Sequence, residues 1–135
     1  MGQGHGLAPA ERVRRRPDFE RAYSTGVRIH ARFMTLFVVG NGGPSSRLGV
    51  AATRKLGSAV ERNRAKRLAR EVFRRHKIRA GLDIVIVPRR EMLDAPFVTL
   101  EADYIAALER RDRGQSSPNR RPGGRRGRPR NVTSV

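Results

Sequence analysis

The sequence predicts an α+β fold, a small β-sheet with helices packed on it as an α-β sandwich. Three observations carry this. Segments of helical and strand periodicity follow one another as helix, strand, strand, helix, strand, helix. They fall within about 100 residues, the size of one domain. Each helical segment has a single apolar arc, which must be buried against another element.

Pro17 and Asp18 suit the first turn of a helix that Gly26 stops. Phe19, Ala22 and Tyr23 share one of its faces. Val27–Val39 reads as one long strand, whose first half sets Val27, Ile29, Ala31 and Phe33 against Arg28, His30 and Arg32. The run Asn-Gly-Gly-Pro-Ser-Ser at 41–46 is a loop. In a second strand, Leu48–Lys55, Leu48, Val50 and Ala52 point one way, and Gly49, Ala51, Thr53 and Lys55 the other. Ser58, three residues before Glu61, predicts a capping box and a helix running to Arg79, with Gly81 past its end. Leu82–Val87 is a β-branched third strand. Phe97–Leu108 is a last helix, with Leu100, Tyr104, Ile105 and Leu108 at helical spacing. The folded domain is expected over 11–110. Residues 1–10 read as a disordered leader and 111–135 as a disordered Arg/Pro/Gly-rich tail, because neither holds enough apolar surface to offset the entropy of ordering.

Lys and Arg together number 30 against 12 acids, a net charge of +18. Such an excess is tolerated when the partner is a polyanion, since each neutralised phosphate releases condensed counterions. Lys55, Lys66 and Lys77 are the only lysines, and the planar guanidinium that dominates instead suits phosphate forks and base stacking. The absence of Cys excludes disulfides and thiolate chemistry. The longest largely apolar run, Met34–Val39, is far short of the roughly 20 residues of a membrane span. A cytoplasmic location without membrane contact is the expectation.

One helix gathers cations on a single face. On a helical wheel of about 100° per residue, Ala65, Leu68, Ala69, Val72 and Phe73 of the segment 61–75 fall in one arc. Arg62, Asn63, Lys66, Arg67, Arg70 and Arg74 fall in the next. Like charges at i,i+4 spacing oppose an isolated helix; a polyanion along that face offsets the cost. Elsewhere Phe19 and Tyr23, one turn apart, suit stacking on unpaired bases. Ala51, Thr53 and Lys55 leave room for a single strand and offer a cation. Asp18, Glu20, Asp83, Glu91, Asp94, Glu101 and Asp103 are scattered with no paired-carboxylate or His-rich signature, so no catalytic or metal-binding residue is assigned. His76 reads as half-buried structure. Charge alone fits equally a non-catalytic ribosomal or other structural RNA-binding protein; a DNA-compacting role lacks an evident dimer interface or minor-groove arm.

The stretch from Thr53 to Phe73, with its Arg62-Asn63-Arg64 core and the following Lys66-Arg67-x-x-Arg70, resembles the signature of the bacterial ribonuclease P protein component. Arg16-Pro17-Asp18-Phe19 through Gly26, Leu48-Gly49-Val50 and Asp83–Ile86 are similar to further parts of that family, over about residues 12–108. The resemblance implies a left-handed βαβ crossover, where the general rule is right-handed. It implies a protein subunit that binds a catalytic RNA and the 5′ leader of precursor tRNA, while the RNA's Mg²⁺-dependent centre releases the mature 5′ end. By position it gives Arg62, Asn63, Arg64, Lys66, Arg67 and Arg70 to the RNA subunit, and Phe19, Thr53 and Lys55 to the leader. Tyr23 occupies a position where the family often has Phe or another large side chain. The strand over 33–39 fits no single register.

Overall fold

A computed structural model describes residues 7–77 and 81–114. The order is α1 (Arg16–Thr25), β1 (Val27–His30), β2 (Met34–Gly40), β3 (Arg47–Val50), α2 (Ala59–Arg75), β4 (Leu82–Pro88) and α3 (Phe97–Asp112). Short 3-10 turns lie at Pro9–Glu11 and Arg90–Asp94. The four strands form one mixed sheet in the order β1-β2-β4-β3. Only β3 and β4 are parallel, and α2 connects them as a βαβ unit.

Strand alternation divides the core into two layers. Leu36 pairs with Ile86 and Val38 with Ile84. These join Ile29, Leu48 and Val50 beneath Ala65, Ala69, Val72 and Phe73 of α2 and Leu100, Tyr104 and Ala107 of α3. On the other face Phe37 pairs with Val85, and both pack with Ala51, Val13 and the α1 residues Phe19, Ala22 and Tyr23. Gly26 ends α1 where the backbone admits no side chain: a Cβ there would sit 2.4 Å from the Ala22 carbonyl oxygen and 3.0 Å from that of Val38.

Several expected boundaries move. The segment expected as one strand from 27 to 39 is a hairpin, with Val27 opposite Val38 and His30 opposite Thr35. Its turn contains no Gly or Pro; Ala31 N donates to Met34 O at 2.9 Å, and the amides of Arg32 and Phe33 donate to the Asp103 carboxylate on α3, at 3.1 and 2.9 Å. Strand β3 stops at Val50 rather than Lys55. The Ala51 amide still donates to Ile86 O at 2.9 Å, but the chain then turns, with Leu56 N donating to Thr53 O at 3.0 Å and Gly57 N to Arg54 O at 3.2 Å. Lys55 is therefore on a turn. Helix α2 ends at Arg75 instead of Arg79, with the His76 amide donating to the Val72 and Phe73 carbonyls; residues 78–80 lie outside the described residues, as do 1–6 and 115–135 of the two tails. Leu7, expected in a disordered leader, is buried in the core at 4% exposure, and Val13 N donates to Leu48 O at 2.8 Å.

One buried charge links these parts. Asp83 on β4 is fully buried. Its carboxylate accepts from Arg47 at 2.8 and 2.6 Å, from Arg21 at 3.2 Å and from the Asn41 amide at 2.9 Å. Arg47 also lies 3.6 Å from Asp18, and Arg21 donates to Gly40 O at 2.7 Å. Burial pushes the Asp83 carboxyl up, but the hydrogen bonds from Arg47 and Asn41 outweigh it and hold it below the usual carboxylate range. A lowered native value means that this carboxylate stabilises the fold above its unfolded-state value, near pH 4, and that the contribution fades as pH falls through the native value. Asp83→Ala is expected to cost about 1.5–3 kcal/mol at neutral pH, because Arg47, Arg21 and Asn41 lose a shared charged acceptor while Arg47 keeps Asp18 and some contact with water. The gap between wild type and variant, measured by denaturant unfolding, should narrow steadily from pH 5 to pH 2. A constant gap would place the effect in packing instead of charge.

Candidate nucleic-acid interface

Helix α2 is built to present cations. Its start is fixed by the reciprocal pair expected from sequence: Glu61 N donates to Ser58 Oγ at 3.2 Å, and Ser58 N to Glu61 Oε1 at 2.8 Å. Arg90 donates to the other Glu61 oxygen at 2.9 Å. Arg90, then Ser58, hold the Glu61 carboxyl down at about 2. Near the other end, Glu71 accepts from Arg74 at 2.7 Å and Arg75 at 2.8 Å. Both acids of the helix are thus engaged away from its middle.

What remains is one-signed. Asn63, Arg64 and Arg67 are exposed, and Arg62, Lys66 and Arg70 half-buried. Arg62 donates to Gly57 O at 2.9 Å. Among the described residues, no carboxylate lies within 4.0 Å of Arg62, Arg64, Lys66, Arg67 or Arg70. Partial burial, and then the neighbouring charges of Arg12 and Arg67, push the Arg70 guanidinium below its ordinary value. Arg74, grouped with this stripe on the wheel, is instead tied to Glu71, because a three-residue offset brings that acid alongside it.

The residues expected to meet a single strand are not all at the surface. Phe19 and Tyr23 are 4% and 1% exposed. Their ring centroids are 6.3 Å apart, and Tyr23 meets Phe37 edge-on at 5.1 Å. Gly49 makes room for this packing, since a Cβ there would lie 3.0 Å from the Phe19 ring and from Val13 Cβ. Ala51 is buried in the same cluster. Open ring faces for stacking, expected from the one-turn spacing, are thus absent: core packing takes them, and the three side chains form a floor. Thr53 is half-buried and Lys55 exposed. The strand over 33–39 now has its register. Phe37 and Val39 turn toward α1, and alternation puts Thr35 on the same face.

Sequence reasoning missed a second cationic group on this side. Arg89, just past β4, donates to Thr35 Oγ1 at 3.2 Å and to Ala31 O at 3.3 Å, and lies 2.8 Å from His30 Nδ1. Arg110 of α3 donates to His30 O at 2.9 Å. Partial burial, then Arg89, Arg28 and Arg110, push the His30 imidazole below its ordinary value. The adjacent arginines after Pro88 were the available signal, but their position depends on the β2–β4 pairing. The acids have structural tasks: Asp18 and Asp83 bind Arg47, Asp103 closes the hairpin, and Glu101 accepts from His76 at 3.0 Å. Among the described residues, no three His, Asp or Glu side chains converge as a metal site would require.

The family model described as Ribonuclease P matches residues 7–112, nearly all of the described chain. The chain belongs to the ribonuclease P protein family. It is 42% identical over 99 residues to the ribonuclease P protein component of Oleidesulfovibrio alaskensis, covering 70% of this chain and 78% of that one. It is 40% identical over 106 residues to that of Thermotoga maritima, covering 74% and 91%. The solved RNase P protein structure from Thermotoga maritima aligns with a TM-score of 0.67 at 36% identity, over 74% of this chain and 96% of that one. A Staphylococcus aureus RNase P protein structure, a mutant with defective mRNA degradation activity, aligns at 0.69 and 30% identity, over 76% and 89%. Membership makes this chain the protein subunit of the tRNA-processing endoribonuclease, with the RNA of ribonuclease P as its partner. Among the described residues no helix is long and apolar enough to cross a membrane.

Replacing Arg62, Lys66 or Arg70 singly by Ala should weaken binding of the ribonuclease P RNA. Each should lower the log–log salt slope by somewhat under one unit. Arg74→Ala, already neutralised by Glu71, should change the slope less. Filter binding over a range of salt concentrations checks this, and equal slopes for all four variants and wild type would contradict the assignment.

Proposed function

We propose that α2 seats this subunit on the catalytic RNA through Arg62, Asn63, Arg64, Lys66, Arg67 and Arg70, and that the sheet face beside α1 receives the 5′ leader of precursor tRNA. The observation that carries the first half is the run of cations with no carboxylate answer on α2. The second half rests on the exposed Lys55, the half-buried Thr53 and the Arg89–Thr35 pair, with Phe19, Tyr23 and Ala51 as the floor beneath. A single strand laid there meets phosphate-binding cations along its backbone, while the buried Phe19, Tyr23 and Ala51 act only by holding that face in place.

In this arrangement the protein supplies position and charge, and the phosphodiester bond is broken by the RNA. Mg²⁺ fits the same division. Hard cations take clustered oxygen ligands, whereas the face offered by α2 is cationic, so the described residues do not suit a resident Mg²⁺ and the metal belongs with the RNA phosphates. A cytoplasmic site of action accords with a substrate that is a newly made tRNA precursor.

The isolated protein is expected to cleave nothing; adding the cognate RNA and Mg²⁺ should yield the mature tRNA 5′ end. Site-specific 5′ cleavage by RNA-free protein would overturn the reading. Within the assembled enzyme, Lys55→Ala should weaken binding of precursor tRNA by about five- to a hundred-fold, the range for one lost phosphate contact or stacked base. Mature tRNA affinity should hardly change, since it has no leader. Equal losses for both substrates, in a variant with an unchanged melting curve, would remove Lys55 from the leader path.

A further inference from the structure

A pocket of about 320 Å³ opens between the N-terminal segment, β3 and α2. It is lined by Leu7, Val13, Phe19, Leu48 and Val50, and by the four cations Arg12, Arg14, Lys66 and Arg70. No carboxylate lines it. Its volume falls at the lower end of the roughly 300–1,000 Å³ of small-ligand sites. Its make-up is segregated: an apolar floor and a cationic rim. Lys66 and Arg70 come from the stripe on α2, whereas Arg12 and Arg14 come from the segment that β3 anchors through Val13 N and Leu48 O, 2.8 Å apart. The rim is under electrostatic load, since Arg12 is one of the charges that depress the Arg70 guanidinium. Arg12 is held in place by donating to Leu7 O at 2.9 Å.

A bare phosphate would satisfy the rim and leave the floor in contact with water. A planar apolar ligand would satisfy the floor and ignore four cations. A nucleotide unstacked from an RNA strand satisfies both, with its base on the apolar floor at Leu48 and Val50, and its phosphates on Lys66, Arg70, Arg12 and Arg14. We propose that this pocket captures one extruded nucleotide of the RNA bound along α2, which makes it a specific latch within an otherwise electrostatic interface. The proposal rests on the assignment of α2 to the RNA subunit. It adds that the subunit must present an unpaired nucleotide beside that helix.

The test has two arms. In the first, the full-length protein is titrated with a nucleoside 5′-monophosphate and, separately, with inorganic phosphate, while the methyl resonances of Leu7, Val13, Leu48 and Val50 are followed by NMR. The monophosphate should move these methyls and inorganic phosphate should not; identical responses to both would reduce the pocket to a charged rim and overturn the proposal. In the second, Arg14→Ala and Arg67→Ala are compared for binding to the ribonuclease P RNA. Arg14 is an exposed rim residue outside the helix, and Arg67 is on the stripe but outside the pocket. Both should weaken binding, Arg14→Ala by about fivefold or more, as for one lost nucleotide contact. A loss for Arg67→Ala alone leaves the interface standing and removes the pocket from it. No loss for either overturns the assignment of α2 itself. A loss for Arg14→Ala confined to precursor tRNA, with RNA-subunit affinity intact, would give the pocket to the leader and overturn the proposal as stated.

Discussion

The Asp83 carboxylate has no access to solvent, so its charge has to be answered inside the protein. The groups that answer it come from separate stretches of chain: Arg21 on α1, Asn41 after β2, and Arg47 at the start of β3. None of the three can reach it unless α1 lies across the sheet and the β2–β3 loop folds back over β4. Leaving such a charge unpaired is among the costliest faults a small domain can carry. The ion cluster therefore discriminates between the native layering and looser packings that hydrophobic burial alone would tolerate. The position of α1, and with it the floor of Phe19, Tyr23 and Ala51, follows from this one arrangement.

Charge is handled oppositely on α2. Where Asp83 is surrounded, the cations of α2 are left alone, and the acids that could have quenched them are drawn off. Glu61 is committed to the helix N-terminus and Arg90, and Glu71 to Arg74 and Arg75. The helix retains i,i+4 repulsion that would cost it stability in isolation. That cost is met by its other side, where Ala65, Ala69, Val72 and Phe73 are buried against the sheet and α3. Tertiary packing thus lets the protein keep a surface that is unfavourable until a polyanion arrives.

The legible parts of the fold were those with local causes. Ser58 and Glu61 satisfy each other three residues apart, Gly26 relieves a clash with the turn before it, and the basic and apolar arcs of α2 are fixed by helical geometry. The parts that were not legible depend on distant residues. The turn at 31–33 has no Gly or Pro, and its two inner amides are satisfied by Asp103, some seventy positions away. Lys55 leaves its strand because β3 ends at Val50 and the chain turns. The spacing of Phe19 and Tyr23 suits stacking, but it does not show that both rings are buried; that depends on Gly49, whose missing Cβ admits the Phe19 ring, and on Val13 from the N-terminal segment. Arg89 escaped notice because its neighbour Thr35 is set by pairing of β2 with β4.

The pairing of Val13 with Leu48 has a further effect. Strand β3 lies at the rim of the sheet, and exposed rim strands invite a second copy to add on through free main-chain groups. Here the chain's own N-terminal segment occupies part of that rim, with Leu7 tucked into the core behind it. The strand at the opposite rim, β1, is only four residues long and carries Arg28 and His30, which discourages the same event. With main-chain templating suppressed at both rims and a net charge of +18 on every copy, self-association has little to drive it. Edge-to-edge pairing of two free copies is thereby disfavoured at both rims.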